Sequence, residues 1–119
     1  KAAYEKARAN SLRLAGPEGI DRLLQENRVA LLVAPTEGPA WPIDLVLGDH
    51  FVGVGAGNLA AIAGYPHLTV PMGAVEGLPI GLSFMGPKWK DAAVLAAGAA
   101  YERARTTAIP AAGLKRWGE

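Results

Sequence analysis

An α/β fold, a fragment of a larger mixed β-sheet with helices packed on it, is the class this sequence predicts, and three observations predict it. Leu68, Val70 and Met72 alternate with Thr69 and Pro71, and Ile80, Leu82 and Phe84 alternate with Gly81 and Ser83, the period of two that marks half-buried strands. Val29 to Ala34 is a continuous apolar run of strand length, which suits a strand covered on both faces. Residues 2–15 and the stretch from Asp91 to Arg105 are rich in good helix formers and supply the covering layers.

Taken in order, AAYEKARANSLRLA forms a first helix that Gly16 caps and Pro17 stops, and Glu18 to Asn27 resumes as a short second helix with Ile20, Leu23 and Leu24 on one face. The apolar strand follows, and Thr36 to Gly48, with Pro39, Trp41 and Pro42, reads as a loop. Gly53, Gly55 and Gly57 would each cost a helix about 1 kcal/mol relative to alanine, so this stretch is irregular, with a short helix over Asn58 to Ala63 that ends at Gly64. A phosphate-cradling loop would need a third glycine where Asn58 stands and a strand directly before it. Close packing against a neighbouring backbone is the better account of these glycines.

The alternating runs form a hairpin in which Ala74 to Gly77 separate the strands and Gly77 takes a positive φ. One face of the second strand is bulky, and the bare Gly81 and Ser83 face would let a helix backbone come close. Asp91 is placed to cap the last helix, Val94, Ala97, Gly98 and Tyr101 form its docking stripe, and Arg103 and Arg105 suit its negative end. Thr106 to Glu119 reads as an irregular tail pinned by Trp117.

Asn58, Leu59, Gly64, Pro66, Val70, Pro71 and Gly73, followed by Gly77, Leu78, Pro79, Gly81 and Leu82 and then by Val94, Leu95, Tyr101 and Glu102, resemble the C-terminal part of the amidase signature family. GYPHLTVPMG and GLPIGLSFMG are worded most like its peptide-amidase branch, and the specific resemblance covers residues 28–105 of a single segment, 1–119. It implies hydrolysis of carboxylic or peptide amides by the whole enzyme, with a Ser-Ser-Lys set that lies N-terminal to this region. The chain has only Ser11 and Ser83 and no Ser-Ser pair, so no catalytic residue is assigned and the chain alone is expected to be inactive. The resemblance places a strand similar to LLVAPT before a loop along the substrate cleft, and Asp49, His50, Gly55 and Tyr65 are the expected substrate-binding residues. The expected partners are the missing N-terminal part of the same polypeptide and a small amide substrate, with a homo-oligomer as a further form.

Composition bounds the rest. With 119 residues, 50% of them hydrophobic and 19% charged, the chain has enough apolar content for one core. A formal charge of +1 from 12 basic and 11 acidic residues offers no field for nucleic acid or an anionic membrane. No cofactor and no metal are expected: there is no cysteine, and Asp44, Asp49 and His50 stand at no metal-ligand spacing. No apolar run reaches the roughly 18 to 20 residues of a membrane span, and a cytoplasmic protein is expected. The chain opens at Lys1 directly in a helical pattern, from which an absent upstream part is expected. Asp49, His50 and Ser83 could be drawn as a triad, but a serine inside a strand is first a packing hydroxyl. A free-standing binding or assembly module of the same fold is the alternative function, and a nucleotide-binding enzyme, resting on the glycines alone, is a third.

Overall fold

The computed structural model describes residues 1–49, 53 and 55–109. Helix α1 spans Ala2–Ala15 and passes through a π-helical turn, Gly16–Asp21, into α2, Arg22–Asn27. Strand β1, Leu32–Pro35, is followed by α3, Gly57–Ala63, then by β2, His67–Val75, β3, Leu78–Met85, and α4, Asp91–Ala104. The strands form one antiparallel sheet in the order β1-β3-β2, so the second arm of the hairpin is its centre. The helices pack on both faces of that sheet, in keeping with the α/β class.

The faces follow from the register. Leu32 lies opposite Met85 and Ala34 opposite Ser83 across β1 and β3, while Leu68 lies opposite Phe84 and Val70 opposite Leu82 across β2 and β3. Because successive side chains of a strand point to opposite faces, Phe84 and Met85 enter different cores. Met85 packs with Ile20, Leu24 and Ala60 beneath the π turn, α2 and α3. Phe84 packs with Val70 and Val94 beneath α4, and its ring meets Tyr101 in a tilted arrangement with centroids 5.8 Å apart. Helix α4 approaches β2 through Gly98, where an ideal Cβ would collide with Leu68 Cδ2.

Several expectations need correction. Pro17 does not stop the helix. A proline has no N–H and clashes with the preceding turn of an α-helix, and the chain answers by widening to a π turn instead of breaking. The wider turn brings the Leu14 carbonyl within 2.6 Å of where a Cβ on Gly19 would stand, so glycine is required there. The run 29–34 is not buried on both faces: β1 begins only at Leu32 and is an edge strand, with Val33 53% and Val29 44% exposed. The hairpin turn is two residues rather than four. Glu76 and Gly77 take φ of 51° and 78°, the left-handed pair that matches the twist of the flanking strands. A register shift between Pro71 and Gly73 absorbs one extra residue in β2.

At Gly81 itself the bare face is filled by side chains and not by a helix backbone, although α3 covers the same face near Met85. Helix α4 lies on the bulky face instead, and an ideal Cβ on Gly81 would meet Thr69 Cγ2 at 2.5 Å and Thr36 Oγ1 at 2.8 Å. Lys90 rather than Asp91 occupies the cap position of α4, with no side-chain capping bond, and Asp91 is the helix's first residue. Arg103 lies in its last turn, whereas Arg105 is already extended and donates to the Thr107 carbonyl. Helix α3 ends at Gly64 with φ 68°, as the sequence predicts. Residues 110–119, including Trp117, lie outside the described residues.

Candidate functional site

Thr36, the residue after β1, is held from four directions. Its N–H donates to the Gly81 carbonyl at 2.8 Å, and its own carbonyl accepts from the Ala56 N–H at 3.0 Å. Its hydroxyl accepts from Ser83 at 2.9 Å and donates to Thr69 at 3.2 Å. Ser83 is fully buried, and its Oγ lies 2.6 Å from His67 Nε2. A hydroxyl has one proton to donate, and with that of Ser83 directed to Thr36 its oxygen is the acceptor for His67 Nε2–H. The bonds run one way, from His67 to Ser83 to Thr36 to Thr69, and lace all three strands together on the bare face. Satisfied polar networks of this kind rigidify what they connect.

This rigid corner borders a polar cleft of about 260 Å³, lined by Thr36, Glu37, Gly53, Gly55, Gly57 and Asn58. The glycines stand at ordinary contact distance from their neighbours: an ideal Cβ on Gly55 would lie 3.4 Å from Glu37 Oε1 and 3.8 Å from the Thr36 carbonyl oxygen, and one on Gly57 would lie 3.4 Å from His67 Cε1. A larger groove of about 410 Å³ separates α2 from the start of α4, between Leu24, Val29, Pro87 and Lys90. Its walls are largely apolar and its one carboxylate, Asp21, already accepts from Tyr65. The smaller cleft is the better candidate, because its polar groups converge on one space.

Of the four expected substrate-binding residues, Gly55 lines this cleft. Asp49 is exposed on the loop between β1 and α3, after Gly48 with φ 81°, and is not among the lining residues. His50 lies outside the described residues. Tyr65 is brought elsewhere: its hydroxyl donates to Asp21 Oδ2 at 2.6 Å, and its ring covers Gly16, where an ideal Cβ would come within 3.1 Å of the phenol oxygen. Burial, the bond to Asp21 and the charge of that carboxylate together push the Tyr65 hydroxyl up to about 12. Tyr65 thus fastens the π turn to the end of α3.

Ser83 and His67 form a serine-imidazole contact within the hydroxyl row. The serine is closed to solvent, and its proton is directed to Thr36 rather than to the imidazole. Among the described residues no group of three or more His, Cys, Asp and Glu side chains could hold a metal ion, and no helix is long and apolar enough to cross a membrane.

No protein-family model matches the chain. The native peptide amidase from Stenotrophomonas maltophilia superimposes on 96% of it with a TM-score of 0.81 and 43% identity. A peptide amidase in complex with the competitive inhibitor chymostatin does so over 93%, with a TM-score of 0.79 and 48% identity. In sequence, a glutamyl-tRNA(Gln) amidotransferase polypeptide of Lachnospira eligens is 41% identical over 80 residues, which are 61% of this chain and 16% of that protein. In sequence and in fold the chain is similar to amidase-signature enzymes. It matches the C-terminal part of such enzymes and spans 23% of the length of the two peptide amidases.

Within the amidase-signature segment, sequence reasoning passed over Thr36, Glu37 and the joining of His67 to Ser83. The signal was present in the register, since Thr69 stands opposite Ser83 and both share a face with Gly81. A hydroxyl pair beside a glycine on a strand face marks a place where side chains, not a helix, fill the space.

Proposed function

We propose that this chain acts as the C-terminal portion of an amidase-signature hydrolase, completing the sheet and one wall of a cleft in which carboxylic or peptide amides are hydrolysed. Near-complete superposition on peptide amidases at 43% and 48% identity carries this reading. Amide hydrolysis needs an activated nucleophile, a base within reach and donors for the developing oxyanion. Here the nucleophile and its base belong to a preceding part of the domain, and residues 1–119 act as a single supporting segment. Gly55 lines the substrate side of that wall, and Asp49 and His50 are assigned to substrate binding with it. Tyr65 supports the wall through Asp21.

The division of labour has a direct test. A homogeneous sample of residues 1–119, incubated with a dipeptide bearing a C-terminal carboxamide and followed by ammonia release, is expected to show no turnover above the buffer rate. Stoichiometric, repeated turnover by that sample contradicts the proposal. In the alternative, a free-standing binding or assembly module, the same chain is inactive but melts cooperatively as a strict monomer.

A further inference from the structure

We propose that Glu37 is the residue through which the cleft recognises nitrogen, accepting hydrogen bonds from a small N–H donor group, either an ammonium or the NH₂ of a primary carboxamide. Four observations converge on it. Its carboxylate lies beside Gly55, Oε1 being 3.4 Å from the ideal Cβ position, which sets it against the lining of the cleft. No lysine or arginine lines the cleft, and among the described residues no hydrogen bond or ion pair engages Glu37. Its neighbour Thr36 is pinned by four hydrogen bonds, so the carboxylate extends from a fixed base. The space, about 260 Å³, suits a small head group.

The chemistry selects the ligand. An ionised carboxylate has only acceptor sites, and the residues that share the cleft with it, Thr36, Asn58 and three glycines, bring no cation. A cation or a neutral N–H donor finds partners there, whereas a carboxylate ligand meets a like charge. Charge-assisted hydrogen bonds are the stronger kind, which favours the ammonium. The inference rests on the reading of the cleft as part of an amide site and names which end of the ligand the cleft takes.

The test is binding to the full chain, read by the backbone amide signals of Gly55, Gly57 and Asn58 on titration with ethylammonium chloride, propionamide and sodium propionate. Saturable shifts with ethylammonium, with propionamide or with both are expected: the first marks an amine or ammonia site and the second a substrate amide site. Propionate is expected to bind at least about tenfold more weakly. Glu37→Gln should weaken ethylammonium by about tenfold. Gly55→Ala keeps the charge but adds a methyl to the cleft lining beside the carboxylate, and it should weaken both donors. Circular dichroism matching the parent chain shows that each variant is folded. No saturable shift with either donor, propionate binding as tightly as they do, or a folded Glu37→Gln with unchanged affinity overturns the proposal. Because no turnover is read, a binding cleft in a chain whose hydrolase role fails, and the converse, remain distinguishable.

Discussion

Tyr65 shows how a residue expected at the ligand is used by the fold. An aromatic between Gly64 and Pro66 reads from sequence as a cleft residue, because aromatics border clefts and hold apolar parts of ligands. Its hydroxyl instead donates to Asp21, 44 positions earlier, a partner that no local pattern reveals. The consequence appears at alkaline pH. The phenol is raised from 10.0 to about 12 in the folded chain, so the native state holds this proton more tightly than the unfolded state does. Its contribution to stability is complete below pH 10 and is lost as pH rises toward 12. Urea melts are therefore expected to lose stability across that window in the parent chain and to lose less in Tyr65→Phe; equal slopes contradict the account. The hydroxyl row His67, Ser83, Thr36 and Thr69 was likewise half legible. Each residue could be assigned to a strand or its exit, but the register that lines them up is a tertiary fact.

Among the elements, the hairpin was the most legible, because a period of two and a Glu-Gly turn are local signals. The two-residue turn nevertheless asks a non-glycine, Glu76, to take φ 51°. Asparagine tolerates that region better, and Glu76→Asn is expected to stabilise the chain by about 0.5–1 kcal/mol, read as a higher urea midpoint. The helix stop that Gly16 and Pro17 suggest was misread, because Pro17 sits where the chain shifts to a π turn and one glycine two residues on makes the shift feasible. Gly19→Ala would press a methyl against the Leu14 carbonyl. It should cost about 1–3 kcal/mol, although alanine is normally the better helix former; a neutral or stabilising effect contradicts the close approach. β1 was overestimated for a different reason. An apolar run says that a strand will be covered, not by what, and the exposed Val33 is apolar surface that this chain leaves uncovered.

At the scale of the whole molecule, uncovered apolar surface is the common theme. Ile43, Leu45, Val46 and Leu47 are 82%, 94%, 90% and 77% exposed on the loop after β1, and Asp44 Oδ1 accepts from the N–H groups of Val46 and Leu47 at 2.8 and 2.9 Å. Contiguous exposed apolar groups mark surfaces that meet something else. In the reading proposed here, that something is the remainder of an amidase-signature domain, which also brings the catalytic groups to the cleft beside Thr36 and Glu37. Composition and periodicity could not have supplied this, since they describe what a chain can bury and not what buries it; the resemblance carried by Asn58 to Leu82 did. The most direct measurement is activity in a chimera, with residues 1–119 replacing the matching segment of the Stenotrophomonas maltophilia peptide amidase. Ammonia release from a C-terminal carboxamide, abolished when the segment is omitted, is the predicted result. A chimera that is folded by circular dichroism and thermal melting yet silent on that substrate would contradict the claim that this chain completes an amide-hydrolysing cleft.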